Sequence, residues 1–284
     1  MQLLSFARDG IPVVGVLNEG IVHALDDLVP DAPSSMIDVI AGGDDLAARI
    51  ADAIGHSQSG LGGLEELDLL PVVPNPGKVV CLGLNYAEHA KEGGRDVPTQ
   101  MTLFLRANTS MAAHGETIPT PEVSDKIDYE AELAIIIGKQ AKRVDVENAL
   151  DFVYGYAPFN DISVRDYQRR SSQWTAGKNF DRTGPLGPVL ATKDELPRGA
   201  AGLSIRSILN GNVMQDGTTS DMIFDVARIV ADVSECMTLE PGDVIVTGTP
   251  SGVGFARKPP VFMKAGDRIE IEIEGLPRLV NTMG

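Results

Sequence analysis

A mixed α+β fold, mainly β, is predicted by three features of this 284-residue chain. It holds 30 glycines and 18 prolines with only 5% aromatic residues, a composition of many turns and short strands and not of a helical bundle. Short apolar runs bounded by turn residues recur at both ends of the sequence. Helical periodicity is confined to a few stretches, and the 43% of hydrophobic residues suffices for a sizeable core.

Residues 2–28 alternate β-like runs with turns at Asp9-Gly10 and Glu19-Gly20, the pattern of a small meander. A helical stretch over Ser35–Ile54 is broken at Gly42-Gly43. Gly60–Gly63 and the proline-rich 71–77 then read as a connector, which divides the chain into a small α+β part (1–72) and a larger part (73–284). The larger part opens with a buried strand, Lys78–Gly83. It continues through a helical turn carrying His89 and Glu92, a loop at Gly93–Pro98 that could serve as a lid, and a strand fragment ending at Arg106. After Asp128–Gly138 come an expected helix over Asp145–Phe152 and a strand over Tyr154–Asp161. Ser163 reads as the N-cap of a short helix bearing Arg165 and Gln168, with Asp166 completing an acidic capping box. Asn210-Gly211 signals a type I′ hairpin, Asp221 reads as the cap of a helix reaching Met237, and the remainder is β.

The charge balance narrows the function. Forty Asp+Glu against 24 Lys+Arg give a formal charge of −16, which disfavours nucleic acid and anionic membrane surfaces as partners. No segment approaches the roughly 20 apolar residues that span a bilayer. Cys81 and Cys236 are far apart in apolar contexts, so a disulfide framework or zinc cluster is not expected and a reducing cytoplasm fits. These readings describe a cytoplasmic protein that handles small molecules.

The most informative stretch is Asp128-Tyr129-Glu130-Ala131-Glu132-Leu133-Ala134-Ile135-Ile136-Ile137-Gly138. As a strand it projects Glu130 and Glu132 from one face and Tyr129, Leu133, Ile135 and Ile137 from the other. At about 5 Å and an effective dielectric of roughly 20, repulsion between the acids is on the order of 3 kcal/mol. A hard divalent cation would relieve it; a solvated edge strand would also tolerate it. His89 and Glu92, three apart on one helical face, have the spacing of an imidazole oriented by a carboxylate, although exposed surface pairs share that spacing. Arg106 fits either a clamp for an acidic substrate or a partner for a carboxylate. The polar loop 171–181 contains the single tryptophan, and Thr247–Gly254 is glycine-rich without matching a phosphate-binding loop or a nucleophile elbow.

Five ordered motifs resemble the fumarylacetoacetate hydrolase family: Gly-Leu-Asn-Tyr-Ala-Glu-His (83–89), Tyr-Glu-Ala-Glu-Leu (129–133), Phe-Asn-Asp-Ile-Ser-Val-Arg-Asp-Tyr-Gln (159–168), Gly-Lys-Asn-Phe-Asp (177–181) and Thr-Gly-Thr-Pro-Ser-Gly-Val-Gly (247–254). The resemblance covers about residues 77–280. It implies a mixed β-roll catalytic domain, often preceded by a smaller β-rich domain and usually assembled as a homodimer. It further implies that Glu130, Glu132 and Asp161 ligate magnesium or manganese, with calcium as another hard cation they could take. By the same resemblance His89 and Glu92 form a water-activating dyad borne on a lid, and Lys178 stabilises an oxyanion. Arg165, Gln168 and Thr249 would hold the substrate's acid and keto oxygens, with Arg106 and Tyr86 among the substrate contacts. Many members carry a lysine where this chain has Arg106, which alters reach and fork geometry. The implied activity is metal-dependent hydrolysis of a carbon–carbon bond in a 2,4-diketo acid, giving pyruvate or a similar 2-oxo acid and a carboxylic acid. The alternative is a decarboxylase or isomerase working on the same kind of site.

Overall fold

The computed structural model describes residues 1–57 and 60–284. Strands β1 (Gln2–Arg8), β2 (Ile11–Asn18) and β3 (Ile21–Ala24) form the expected antiparallel meander. Its two turns place Asp9, Gly10, Glu19 and Gly20 all at positive φ, as tight hairpins of this hand require. Leu25 does not continue the third strand but opens a single helical turn, α1 (Leu25–Leu28). The helical stretch that follows divides at the glycine pair into α2 (Met36–Ala41) and α3 (Gly43–His56), and Ser35 caps the first by accepting from the Asp38 amide at 3.1 Å.

A ten-stranded sheet carries the rest of the architecture. To the meander it adds β4 (Val79–Gly83), β5 (Thr102–Arg106), β6 (Ala131–Ile137), β7 (Val153–Asn160), β8 (Leu190–Thr192) and β11 (Val244–Val246). The order is β3-β2-β1-β8-β7-β6-β11-β4-β5, with Asp68–Leu69 beside β1, so one sheet runs from the meander through the later strands. The pairs are antiparallel except β11 with β4. A second, five-stranded sheet holds β9 (Ser204–Leu209), β10 (Asn212–Thr218), β12 (Arg268–Ile273) and β13 (Leu279–Met283), with Thr117–Ile118 at its edge. The β9–β10 turn has Asn210 and Gly211 both at positive φ, as Asn-Gly predicts.

Every residue of β6 is buried, because the strand is covered on both faces. Leu133, Ile135 and Ile137 pack toward the second sheet (Ile205, Ile271) and α7 (Val226–Cys236), whereas Ala134 and Ile136 face the layer of Met36, Val39 and Ile50 from α2 and α3. Each such Leu or Ile contributes about 1.5–3 kcal/mol by leaving water. That two-sided burial explains a continuous apolar run where a half-solvated strand would alternate.

Three local expectations are corrected. Residues Val146–Phe152 form a 3-10 helix and not an α-helix; of its side chains Ala149 is buried, too little to hold a full apolar stripe against the core. The late helix begins at Val226 with Asp225 as its cap, not Asp221. Asn85 prevents an earlier start, since its side chain accepts from the Phe224 amide and donates to the Phe224 carbonyl, holding that segment extended. Ser163 is no cap either: it lies in a bridge opposite Asp128 and donates to the Asp161 carbonyl, and helix α5 (Arg165–Gln168) follows Val164.

Candidate active site

Strand pairing creates the acidic cluster. β6 and β7 run antiparallel with Ala131 opposite Asn160, and the Asp161 amide donates to the Glu130 carbonyl at 3.0 Å, so the acids entering one strand meet the acid leaving the other. The Asn160 side chain fixes the corner by accepting from the Glu130 amide. Glu130, Glu132 and Asp161 are all buried and offer oxygens within 4.8 Å of one another. From the adjacent strand the glycine-rich loop crosses above them: Thr247 bonds the Leu133 carbonyl, and the Gly248 amide donates to Glu132 Oε2 at 2.6 Å.

Cations answer this charge unequally. Lys178 at the end of α6 (Thr175–Lys178) places its ammonium 2.5 Å from both Glu130 and Asp161. Arg165 Nη2 lies 2.7 Å from Glu130 Oε1, while its Nε donates to Asp128 and its Nη1 to Gln168. Arg106 donates from Nε to Asp161 at 2.7 Å and from Nη1 and Nη2 to Thr183 and the Ile162 carbonyl. Burial alone would raise the Glu130 carboxyl, but Arg165 and Lys178 outweigh it and hold that group well below its ordinary range. Burial likewise opposes charge on Lys178, yet Asp161 and Glu130 keep the ammonium protonated to higher pH than usual. Glu132 is the exception. Burial, then Asp161 and Glu130, push it well above the ordinary carboxyl range, and among the described residues no cation forms an ion pair with it.

That imbalance fits a hard divalent cation. Three converging carboxylates, one of them without a cationic partner, are the donor set such an ion takes, and Glu130, Glu132 and Asp161 would hold it. They open onto a cavity of about 260 Å³, also lined by His89, Arg165, Gln168, Lys178 and Thr249. This lies just under the usual ~300–1,000 Å³ of ligand sites. His89, on α4 (Ala87–Glu92), bonds Glu92 Oε1 through Nδ1 at 2.9 Å, leaving Nε2 as the ring nitrogen without a partner among the described residues. Glu92 is in turn anchored by the Gly252 amide, so the dyad is docked on the glycine-rich loop.

The remaining residues expected to touch substrate are placed differently. Arg106 is absent from the cavity wall; its fully buried side chain lies behind Asp161 and serves that carboxylate. Tyr86 is 2% exposed, outside the lining, and its hydroxyl has no partner among the described residues. Thr249 reaches the cavity, but its hydroxyl donates to the Ala131 carbonyl and accepts from Gln215 Nε2, so toward a ligand it can only accept.

Sequence reasoning missed Phe104, Trp174, Phe255, Arg95 and Arg169 on the wall, and Asp128 beneath it. The isolated tryptophan in a polar loop was the one available signal for Trp174, whose ring packs edge-on against Phe104. Asp128 accepts from Arg165 Nε and from the Gly254 and Phe255 amides, tying the arginine to the loop. Gly254 permits this approach, because a Cβ there would lie 1.9 Å from the Val261 carbonyl oxygen and 2.6 Å from Asp128 Oδ1. Gly254→Ala is therefore expected to cost about 1–3 kcal/mol, read as a lower Tm in thermal melts. An unchanged Tm would contradict this packing.

Comparison with known proteins agrees with this geometry. The family model Fumarylacetoacetate (FAA) hydrolase C-terminal matches residues 78–284. The chain is 46% identical over 218 residues to the fumarylacetoacetate hydrolase domain-containing protein 2 homolog of Dictyostelium discoideum, covering 73% of this chain and 72% of that protein. It is 39% identical over 263 residues to oxaloacetate tautomerase YisK of Bacillus subtilis, covering 89% and 87%. Among solved structures it superposes on maleylpyruvate hydrolase from Sphingobium sp. SYK-6, in complex with manganese(II) and pyruvate, with a TM-score of 0.81 and 28% identity over 100% of this chain and 98% of that one. Among the described residues no helix is long and apolar enough to cross a membrane. The chain belongs to the fumarylacetoacetate hydrolase family.

Proposed function

We propose that this protein is a magnesium- or manganese-dependent enzyme that moves a proton at the carbon beside the keto group of a small 2-oxo acid, interconverting keto and enol forms. The observation that carries this reading is His89, held by Glu92, on the wall of the same small cavity as the three carboxylates, so that a base and a cation site share one ligand. A divalent cation held by Glu130, Glu132 and Asp161 would act as a Lewis acid on the oxo acid, making the adjacent C–H more acidic. His89 Nε2 accepts that proton, and Glu92 holds Nδ1–H and stabilises the imidazolium that forms. Lys178 has three N–H donors, two on Glu130 and Asp161, which leaves one for the ligand's oxygen. The proton then returns to oxygen or to carbon, and the enzyme ends in its starting state.

The 39% identity to an oxaloacetate tautomerase over most of both chains supports this reading. Hydrolysis of a 2,4-diketo acid is the second reading, supported by the likeness to maleylpyruvate hydrolase; there His89 would draw its proton from water attacking a distal carbonyl. The two separate in one assay with magnesium-loaded protein. Exchange of the oxaloacetate C3 protons with deuterium is followed by NMR beside acid release from a panel of acylpyruvates. Accelerated exchange without cleavage is expected. Cleavage without accelerated exchange would replace the first reading with the second, and neither activity would sink both.

A further inference from the structure

Of the four guanidinium groups around this site, two are committed to protein carboxylates. Arg106 serves Asp161, and Arg165 serves Asp128 and Glu130, so neither is free to clamp a ligand's acid group with its full fork. Arg95 and Arg169 also line the cavity, and among the described residues neither forms an ion pair or a side-chain hydrogen bond. Both are exposed, whereas the carboxylate cluster is buried, so they mark the solvent side of the same cavity. Arg169 is not loose: its guanidinium stacks 4.4 Å from the Phe255 ring centroid, and Arg165 stacks on that ring at 4.5 Å. Partial desolvation of this exposed side chain, then the like charges of Arg165 and Arg95, outweigh the attraction of Asp128 and lower the Arg169 pKa. Two cations on one cavity wall, without an ion pair among the described residues, set up a positive potential that attracts an anionic ligand.

We propose that Arg95 and Arg169 form a subsite for a second carboxylate, so that the ligand is a dicarboxylic 2-oxo acid spanning the cavity from the Glu130–Glu132–Asp161 cluster to these two arginines. This rests on the proposed function only in taking the keto-acid end to the cation site. The cavity volume, about 260 Å³, suits an acid of a few carbons and not a polymer. A carboxylate bound between two guanidinium groups accepts charge-assisted hydrogen bonds that an amide of the same shape cannot replace.

Trp174 is the chain's single tryptophan and lines the cavity, so its fluorescence reports occupancy without turnover. The test titrates magnesium-loaded protein with oxaloacetate, with its isosteric distal amide 2-oxosuccinamate, and with pyruvate, which has no second acid group. Wild-type protein should prefer oxaloacetate over the amide on the order of tenfold or more. Arg95→Ala and Arg169→Ala should each reduce that preference and the double variant abolish it, with pyruvate affinity unchanged within about twofold and Arg169→Lys retaining part of the effect. A preference that survives in the double variant overturns the subsite. Parallel weakening of all three ligands also overturns it, since rim charges that merely steer anions do not distinguish the distal group. If pyruvate and oxaloacetate both fail to bind wild-type protein with magnesium present, the proposed function falls and the subsite with it; loss of selectivity for the distal acid alone leaves the proposed function standing.

Discussion

Glu132→Gln is expected to weaken divalent-cation affinity tenfold or more and to abolish turnover at cation concentrations that saturate the wild type. The substitution keeps shape and removes one of the three charges on which hard-cation binding depends. Titration calorimetry with magnesium or manganese reads it directly. A second signature has the opposite sign. In the metal-free protein Glu132 is raised above its ordinary value of 4.5 by burial and by Asp161 and Glu130. A carboxyl raised in the folded state costs stability as pH climbs from the unfolded value toward the folded one, and the cost is complete above the latter. Metal-free Glu132→Gln should therefore melt higher than metal-free wild type at neutral pH, while the rise in Tm on adding metal should shrink. A cation that takes the Glu132 carboxylate expels its proton, so wild-type affinity should also fall as pH drops through that range and the variant should lose much of this dependence. Equal affinity in both proteins, or full activity after exhaustive chelation, would remove the metal centre from this account.

His89→Ala is expected to lose about 100-fold or more in turnover while cation binding is retained, the usual magnitude for removing a general base. The fold should tolerate the change, because Glu92 keeps its own bonds to the Gly252 amide and α4 remains docked. Measuring C3 proton exchange and acylpyruvate cleavage in the same variant distinguishes the roles. A loss confined to cleavage would assign His89 to water activation, and a loss in exchange assigns it to the ligand's own proton. No loss in either, with metal occupancy confirmed, would discard the base assignment.

Local pattern was sufficient where the chain's own chemistry decides the outcome. Turn pairs at Asp9-Gly10 and Asn210-Gly211 demand positive φ, the Gly42-Gly43 pair divides two helices, and the apolar run after two spaced acids marks a strand, which the structure then covers on both faces. Motif order was sufficient for the family, and the residues it pointed to as metal ligands, Glu130, Glu132 and Asp161, come together in space.

Partnership was decided by the tertiary structure alone. Sequence offered Arg106 and Arg165 as substrate contacts, but the carboxylates that take their Nε donors come from segments far away in the chain: Asp161 lies 55 residues from Arg106, and Asp128 lies 37 from Arg165. The same holds for Gly248 on Glu132 across 116 residues and for Asn85 on Phe224 across 139, the contact that delays a helix its own sequence would have begun sooner. Periodicity and turn chemistry report which face a side chain takes and where a strand ends. They carry no information on which distant carboxylate reaches a guanidinium first, and in a buried site that pairing fixes which charges remain for a ligand.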